Sequence, residues 1–189
     1  FTASVLGVSR QDAKADTFKP LYGGFLGTPK QMEYYQAFKE KYKQITQWHE
    51  TLQNDAITNH RVVLPSGRYY NFNNVYRMRY GGVSNSTAIK NYPVQGFATA
   101  DLLPIALIKL KKLLTDRRMQ SIICNTVHDS IVIDVHPDEQ DLAVETMKEA
   151  MFSLPEECKK RYNVDYDMPI GIEIKIGNNW LDMKEIYKS

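Results

Sequence analysis

Ser121–His136 reads SIICNTVHDSIVIDVH, two β-branched runs interrupted by a His-Asp-Ser corner. Continuous Ile/Val runs on both sides predict strands buried in a sheet, paired as a hairpin with the polar corner at one rim. A carboxylate at the tip of an otherwise apolar hairpin is costly to leave bare unless a cation sits there. Asp129 is then expected to point into a cleft and hold a divalent metal. The plainer alternative is a solvated turn, since Asp is a common turn residue.

Working outward, the 189 residues suffice for one sizeable core, or for one domain and part of another. An apolar fraction of 43% with 24% charged residues is that of an ordinary globular protein and excludes a disordered or fibrous chain. Net charge is only +2, so any basic footprint for a polyanion must be local. Two cysteines, Cys124 and Cys158, offer neither a disulfide framework nor metal-ligand spacing, and a reducing compartment is expected. Cys124, inside the first strand, reads as a small buried hydrophobe. No apolar run is long enough to span a membrane, and no targeting signal is found, so a cytoplasmic location in a bacterial or phage-infected cell is expected. The chain opens Phe1-Thr2-Ala3-Ser4 without an initiator Met and reads as a piece of something longer.

Four helical segments are expected. Ser9-Arg10-Gln11-Asp12 is a capping-box pattern, with the Ser9 hydroxyl and the Asp12 carboxylate on opening amides. Its helix should run to Tyr22 and stop at Gly23-Gly24. Thr28-Pro29 opens a long second helix with Met32, Tyr35, Phe38, Tyr42, Ile45, Trp48 and Leu52 on one buried face. A strand-and-turn region follows from Arg61 to about Tyr80, turning at Pro65-Ser66-Gly67. The third helix, roughly 95–115, should bury Leu102, Leu103, Ala106, Leu107, Leu110 and Leu114 and kink at Pro104, with Lys109 and Lys112 facing water. After the hairpin, 137–154 reads as the fourth, with Ala143, Met147, Ala150 and Met151 inward. The fold class is α/β of the α+β type.

On the first helix Arg10, Lys14, Phe18 and Tyr22 recur every four residues and form a stripe on one face. Two cations near a helix N-terminus make a polyphosphate cradle, and two rings beyond them can stack on a base or sugar. An ordinary amphipathic helix with a solvated basic end is the competing reading. Pro20 lacks the amide that would bond the Asp16 carbonyl, so the last turn should bend.

Arg10-x3-Lys14-x3-Phe18-x3-Tyr22-Gly23 resembles motif B of the family A DNA polymerases, the DNA polymerase I type. Val127-His128-Asp129 resembles that family's motif C. Between them, Asn91-Tyr92-Pro93-Val94-Gln95-Gly96 resembles the Asn-x3-Gln-Gly segment that opens the helix touching the primer-template minor groove. Gly177-Asn178-Asn179-Trp180 is similar to the C-terminal Gly-x-Asn-Trp signature. The four occur in the family's order over nearly the whole chain.

The resemblance implies a palm with an antiparallel sheet (61–189) and part of a helical fingers subdomain (1–60). It implies that Asp129 ligates catalytic Mg²⁺, two ions about 3.5–4 Å apart serving attacking and leaving oxygens. Arg10 and Lys14 would hold the triphosphate of a dNTP, and Lys14 would protonate the departing pyrophosphate. Phe18 would pack on the sugar and Tyr22 beside the templating pair. His128 would meet the primer-terminal backbone. Asn91 and Gln95 would donate to minor-groove acceptors shared by every correct pair. Arg68, beside Gly67, is a candidate phosphate contact.

Departures from the pattern are informative. Ser130 stands where a Glu usually follows the motif C Asp, and a hydroxyl cannot neutralise a metal. Lys19-Pro20 replaces a more usual Gly and apolar residue, which implies a different hinge for finger closing. Thr87 stands where bacterial members carry Arg, with Lys90 the nearest cation. The first catalytic carboxylate of the family, on motif A upstream of motif B, has no counterpart before Arg10. One Mg²⁺ ligand set is therefore expected from an upstream segment or partner chain, which would also carry the thumb and any exonuclease domain. Alone, this chain is expected to be inactive.

Two rivals stand beside this reading. A His-Asp metal phosphohydrolase would use His128-Asp129, but it needs further His and Asp ligands on helices. A nucleic-acid-binding subunit that keeps the fold without chemistry finds its hint in Ser130. His49 and His60 read as surface or packing residues, and His136 as closing the hairpin. Lys109, Lys111 and Lys112 read as a solvated face.

Overall fold

Ser9 and Thr28 cap the first long helices, and packing from there divides the chain into two compact units, Phe1–Gln95 and Gly96–Ser189. The computed structural model describes residues 2–23, 27–79 and 81–189. Gly24 of the expected helix stop and Tyr80 at the end of the strand-and-turn region lie outside the described residues.

The first unit holds α1 (Thr2–Leu6), α2 (Arg10–Tyr22), α3 (Pro29–Lys41), α4 (Lys43–Thr58), β1 (Arg61–Val63), β2 (Tyr69–Asn71) and α5 (Ser86–Gly96) up to Gln95. Thr28 caps α3 with a reciprocal box: its hydroxyl accepts from the Gln31 amide, and the Gln31 side chain accepts from the Thr28 amide. The single long helix expected from Pro29 is in fact two. Tyr42 takes φ −112° and ψ 56°, which ends α3 and starts α4. The break re-aims the apolar stripe, so Met32 and Trp48 are 50% and 40% exposed. Tyr35, Phe38 and Leu52 are buried as expected: Tyr35 and Phe38 pack with Leu6 and Tyr34 in one core, and Leu52 enters another with Ala56, Val62, Phe72, Val75 and Ile89. Each buried Leu, Val, Ile or Phe among them contributes about 1.5–3 kcal/mol by leaving water. His49, on α4, is buried and is a packing residue.

β1 and β2 pair antiparallel around a Leu64–Arg68 turn. α5 begins at Ser86, nine residues before the expected start, and tolerates Pro93 in its interior.

The second unit continues with a π-helical stretch, Phe97–Leu102, and α6 (Leu103–Asp116). Pro104 follows directly on the π-helical stretch, and the backbone is already helical at Leu102 and Leu103, so the helix expected to be disturbed at Pro104 is irregular just before it. Leu102, Ala106, Leu110 and Leu114 are buried as expected; Leu103 and Leu107 are half-buried, and Ile105 is buried. Lys109 does not simply face water: it lies 3.8 Å from Glu157.

β3 (Ile122–Val127) and β4 (Ser130–Asp134) form the expected antiparallel hairpin. Its burial differs from expectation. Ile123, Ile131 and Ile133 pack toward Leu110, Leu114 and Ala150, whereas Ile122 and Val127 are exposed. Among the described residues this sheet has two strands only, and its core contacts come from the face bearing Ile123, Ile131 and Ile133. Cys124 is exposed, not buried, because the register shifts between Ile123 and Asn125 and leaves it as the unpaired residue of a bulge.

The expected fourth helix is present as a 3₁₀ turn (Pro137–Glu139) leading into α7 (Gln140–Phe152), and an unexpected α8 (Leu154–Tyr162) follows with Pro155 in its opening turn. Ala143 and Ala150 are buried and Met147 and Met151 half-buried. β5 (Glu173–Ile176) and β6 (Lys184–Lys188) close the chain as a third two-stranded antiparallel sheet. Helices with small antiparallel sheets make this the expected α+β class. No described helix is long and apolar enough to cross a membrane.

Candidate active site

α2 separates two faces. Inward, Ala13 and Pro20 are buried, and the Thr17 hydroxyl donates to Thr2 Oγ1 at 2.9 Å. Asp16 accepts from Lys19 Nζ and Gln31 Nε2 at 2.9 Å and from the Tyr35 hydroxyl at 3.3 Å. The Lys19 ammonium, above all, holds its carboxyl below the usual range. Asp16 thereby ties α2 to α3 and fixes the rotation of the helix. Outward, Arg10 and Lys14 are exposed, Phe18 is 44% exposed and Tyr22 is half-buried. The Phe18 and Tyr22 rings stack with centres 6.0 Å apart and planes 25° from parallel. The four expected residues are brought onto one accessible stripe.

At the start of this helix Ser9 Oγ accepts from the Asp12 amide at 3.2 Å, as expected. The Asp12 carboxylate departs from expectation, accepting from the Ser9 hydroxyl at 2.7 Å. Asp is one methylene shorter than the Glu of a full capping box and reaches the hydroxyl rather than an amide. At the other end Gly23 has φ +149° and donates its amide to the Lys19 carbonyl. A Cβ there would fall 2.5 Å from Thr87 Oγ1, so glycine is needed both for conformation and for space. Thr87, in the first turn of α5, thus packs against the C-terminal end of α2.

Asn91 and Gln95 lie one turn apart on α5, the first half-buried and the second exposed. Asn91 lines a surface groove with Met78, Val83, Ser84, Thr87 and Tyr92. Arg68 is exposed at the end of the β1–β2 turn.

His128 and Asp129 form the two-residue turn between β3 and β4, since Val127 pairs directly with Ser130. His128 takes φ +55°, an uncommon conformation that His tolerates better than most residues. Both side chains are exposed. The Ser130 hydroxyl donates to the Val127 carbonyl at 2.8 Å, so it is spent on closing the turn. Asp129 fits as one ligand of a hard cation, which takes oxygen donors. Among the described residues no group of three His, Cys, Asp or Glu side chains gathers to complete such a site. α2 belongs to the first unit and this turn to the second.

Sequence reasoning missed two supporting residues. Asp16 is one. Glu139 is the other: its carboxylate accepts from the Gln120 and Ser121 amides and from the Ser121 hydroxyl, which is 2.6 Å away. Ser121 Oγ also accepts from the His136 amide at 3.0 Å, so His136 does help to close the hairpin base. These hydrogen bonds, the Ser121 hydroxyl foremost, lower the Glu139 pKa. The only local signal was an acid in the first turn after His136-Pro137.

The sequence profile of DNA polymerase family A matches residues 4–182. The chain belongs to DNA polymerase family A. It is 29% identical over 191 aligned residues to DNA polymerase I of Lactococcus lactis subsp. cremoris, covering 95% of this chain and 17% of that relative. A DNA polymerase of Bacillus phage SP01 is 37% identical over 99 residues, covering 50% of this chain and 10% of the phage protein. Among solved structures, the polymerase domain of Pol1 from M. smegmatis, in complex with DNA primer-template and dNTP, superposes with a TM-score of 0.64. That match has 20% identity and covers 81% of this chain and 30% of the other. The fold is thus that of a family A polymerase domain, and the chain spans about one sixth of the length of the L. lactis family A relative.

Proposed function

We propose that this chain is the C-terminal fingers and palm portion of a template-directed DNA polymerase that adds dNTPs to a primer 3′-hydroxyl. The fingers would fall within residues 1–60 and the palm within 61–189. The observation that carries the reading is the α2 stripe: Arg10 and Lys14 exposed near a capped N-terminus, with stacked Phe18 and Tyr22 beyond them, in a chain of this family.

Arg10 and Lys14 grip the triphosphate at the positive end of the helix dipole. The 3′-hydroxyl releases its proton to solvent as its oxygen bonds to the α-phosphorus and the bond to the pyrophosphate oxygen breaks, and Lys14 Nζ gives that leaving oxygen its proton. Phe18 packs on the sugar, and Tyr22 closes the pocket beside the templating pair. Asn91 and Gln95 donate to purine N3 or pyrimidine O2, which tests pair shape without reading sequence. His128 contacts the primer-terminal backbone, and Arg68 a phosphate. Asp129 would be one ligand of Mg²⁺, with the remaining carboxylates expected from an upstream segment or chain, and the metal would supply charge neutralisation for phosphoryl transfer.

Primer extension with Mg²⁺ and dNTPs tests this, using the chain alone and together with a family A polymerase segment or chain that carries motif A. Extension is expected only from the pair, and Asp129→Ala should lower it at least about 100-fold. A nucleic-acid-binding subunit without chemistry is the second reading, favoured by the Ser130 hydroxyl being spent on Val127. Intact DNA binding by a pair that never extends a primer would establish that reading and overturn the first.

A further inference from the structure

From Ala56 to Ala100 the sequence contains no Asp or Glu, yet it carries Arg61, Arg68, Arg77, Arg79 and Lys90. The rest of the chain has 19 Lys and Arg against 22 acids, so the small net positive charge hides a basic segment inside an acidic remainder. The same 45 residues hold five of the 12 tyrosines. Lys90 is buried and serves the interior; the four arginines are exposed.

The β1–β2 register sorts this segment into faces. Val62 and Tyr70 are paired and turn inward, Val62 to 1% exposure and Tyr70 against Tyr92. Arg61, Val63, Tyr69 and Asn71 share the opposite, exposed face. There the Arg61 guanidinium lies 5.7 Å from the centre of the Tyr69 ring, which is 54% exposed. The ribbon therefore presents an aromatic ring, a guanidinium beside it and an amide, flanked by a turn arginine and with no acid within its own stretch of chain.

We infer that the outer face of the β1–β2 ribbon, centred on Tyr69 and Arg61, binds an unpaired nucleic-acid strand. An acid-free cationic surface is complementary to a phosphate backbone. The exposed ring decides for a single strand over a duplex, because a base offers its face to a side chain only when it is unstacked. Arg61 supports both parts, holding Tyr69 in place and facing phosphate. The inference rests on the proposed function only for naming that strand as unpaired template.

Fluorescence anisotropy of the 189-residue chain with a labelled oligothymidylate of about 20 nucleotides, and with a duplex of equal length, tests it without Mg²⁺ or dNTP. Tyr69→Ala and Arg61→Ala are expected to weaken oligothymidylate binding at least about five-fold, with Tyr69→Phe within about two-fold of the parent. Arg61→Ala should also flatten the salt dependence. Both side chains are exposed, and circular dichroism confirms that the variants fold. Equal binding by Tyr69→Ala and the parent, or a preference for duplex, overturns the inference while leaving the proposed catalysis to its own test. Failure of the parent to bind any oligonucleotide overturns it too.

Discussion

The two hairpins that carry candidate DNA contacts differ in a way their composition reverses. β3–β4 is the more apolar, yet it leaves Ile122 54% exposed; β1–β2 has only three residues per strand, yet it seals Val62 against α4 and α5. In β1–β2 the alternation is clean, so one face enters a core and the other stays polar. In β3–β4 the outward pairs Ile122–Asp134, Asn125–Val132 and Val127–Ser130 each set an apolar residue against a polar one, and α6 and α7 cover the face bearing Ile123, Ile131 and Ile133. Apolar content thus measures how much cover a strand will accept. Alternation tells which side receives it within this chain.

The same substitution on each hairpin breaks or sharpens that contrast. Val62→Asp buries an unpaired carboxylate and is expected to cost about 3–5 kcal/mol in urea denaturation. Ile122→Asp should cost less than about 0.5 kcal/mol. Comparable losses at both positions would show that the outer face of β3 is covered after all.

A second effect concerns α4, the helix under β1. Burial, aided by the nearby Lys90 charge, holds the His49 pKa down to about 4 from 6.5. The folded chain therefore resists protonation that the unfolded chain accepts. Stability from neutral His49 is complete above pH 6.5 and is lost as pH falls toward 4, by roughly 3 kcal/mol. Thermal unfolding followed from pH 7 to 4 should show this slope, and His49→Gln should remove it.

The smallest effect is chemical. In the native chain Cys124 should react with a thiol reagent at the rate of an exposed cysteine. Cys158, buried and with its pKa raised by that burial, should react only on unfolding. Equal protection of both thiols would place Cys124 in a core.

What was legible in the sequence was local. The Ser9 and Thr28 caps, the Pro65-Ser66-Gly67 turn and the His128-Asp129 corner each depend on a few adjacent residues, and each lies where expected. The α2 stripe was legible because spacing by four fixes a helix face whatever surrounds it. Burial was less so. The spacing places Met32 and Trp48 inward on one continuous helix and the type of Cys124 places it inward, but the chain breaks at Tyr42 into two helices and bulges at Cys124. Asp16 and Glu139 escaped notice because their partners, Gln31 and Ser121, lie 15 and 18 residues away.

The bulge at Cys124 also bears on how such chains vary in length. β3 holds one more residue than the distance it spans, since Ile123 faces Ile133 and Asn125 already faces Val132. Deleting position 124 closes the ladder without changing a cross-strand partner on either side. A one-residue gap at the bulge, at Cys124 or at Asn125, is therefore absorbed without a change of register, whereas a gap at Thr126 would bring Asn125 opposite Ile131 on the covered face.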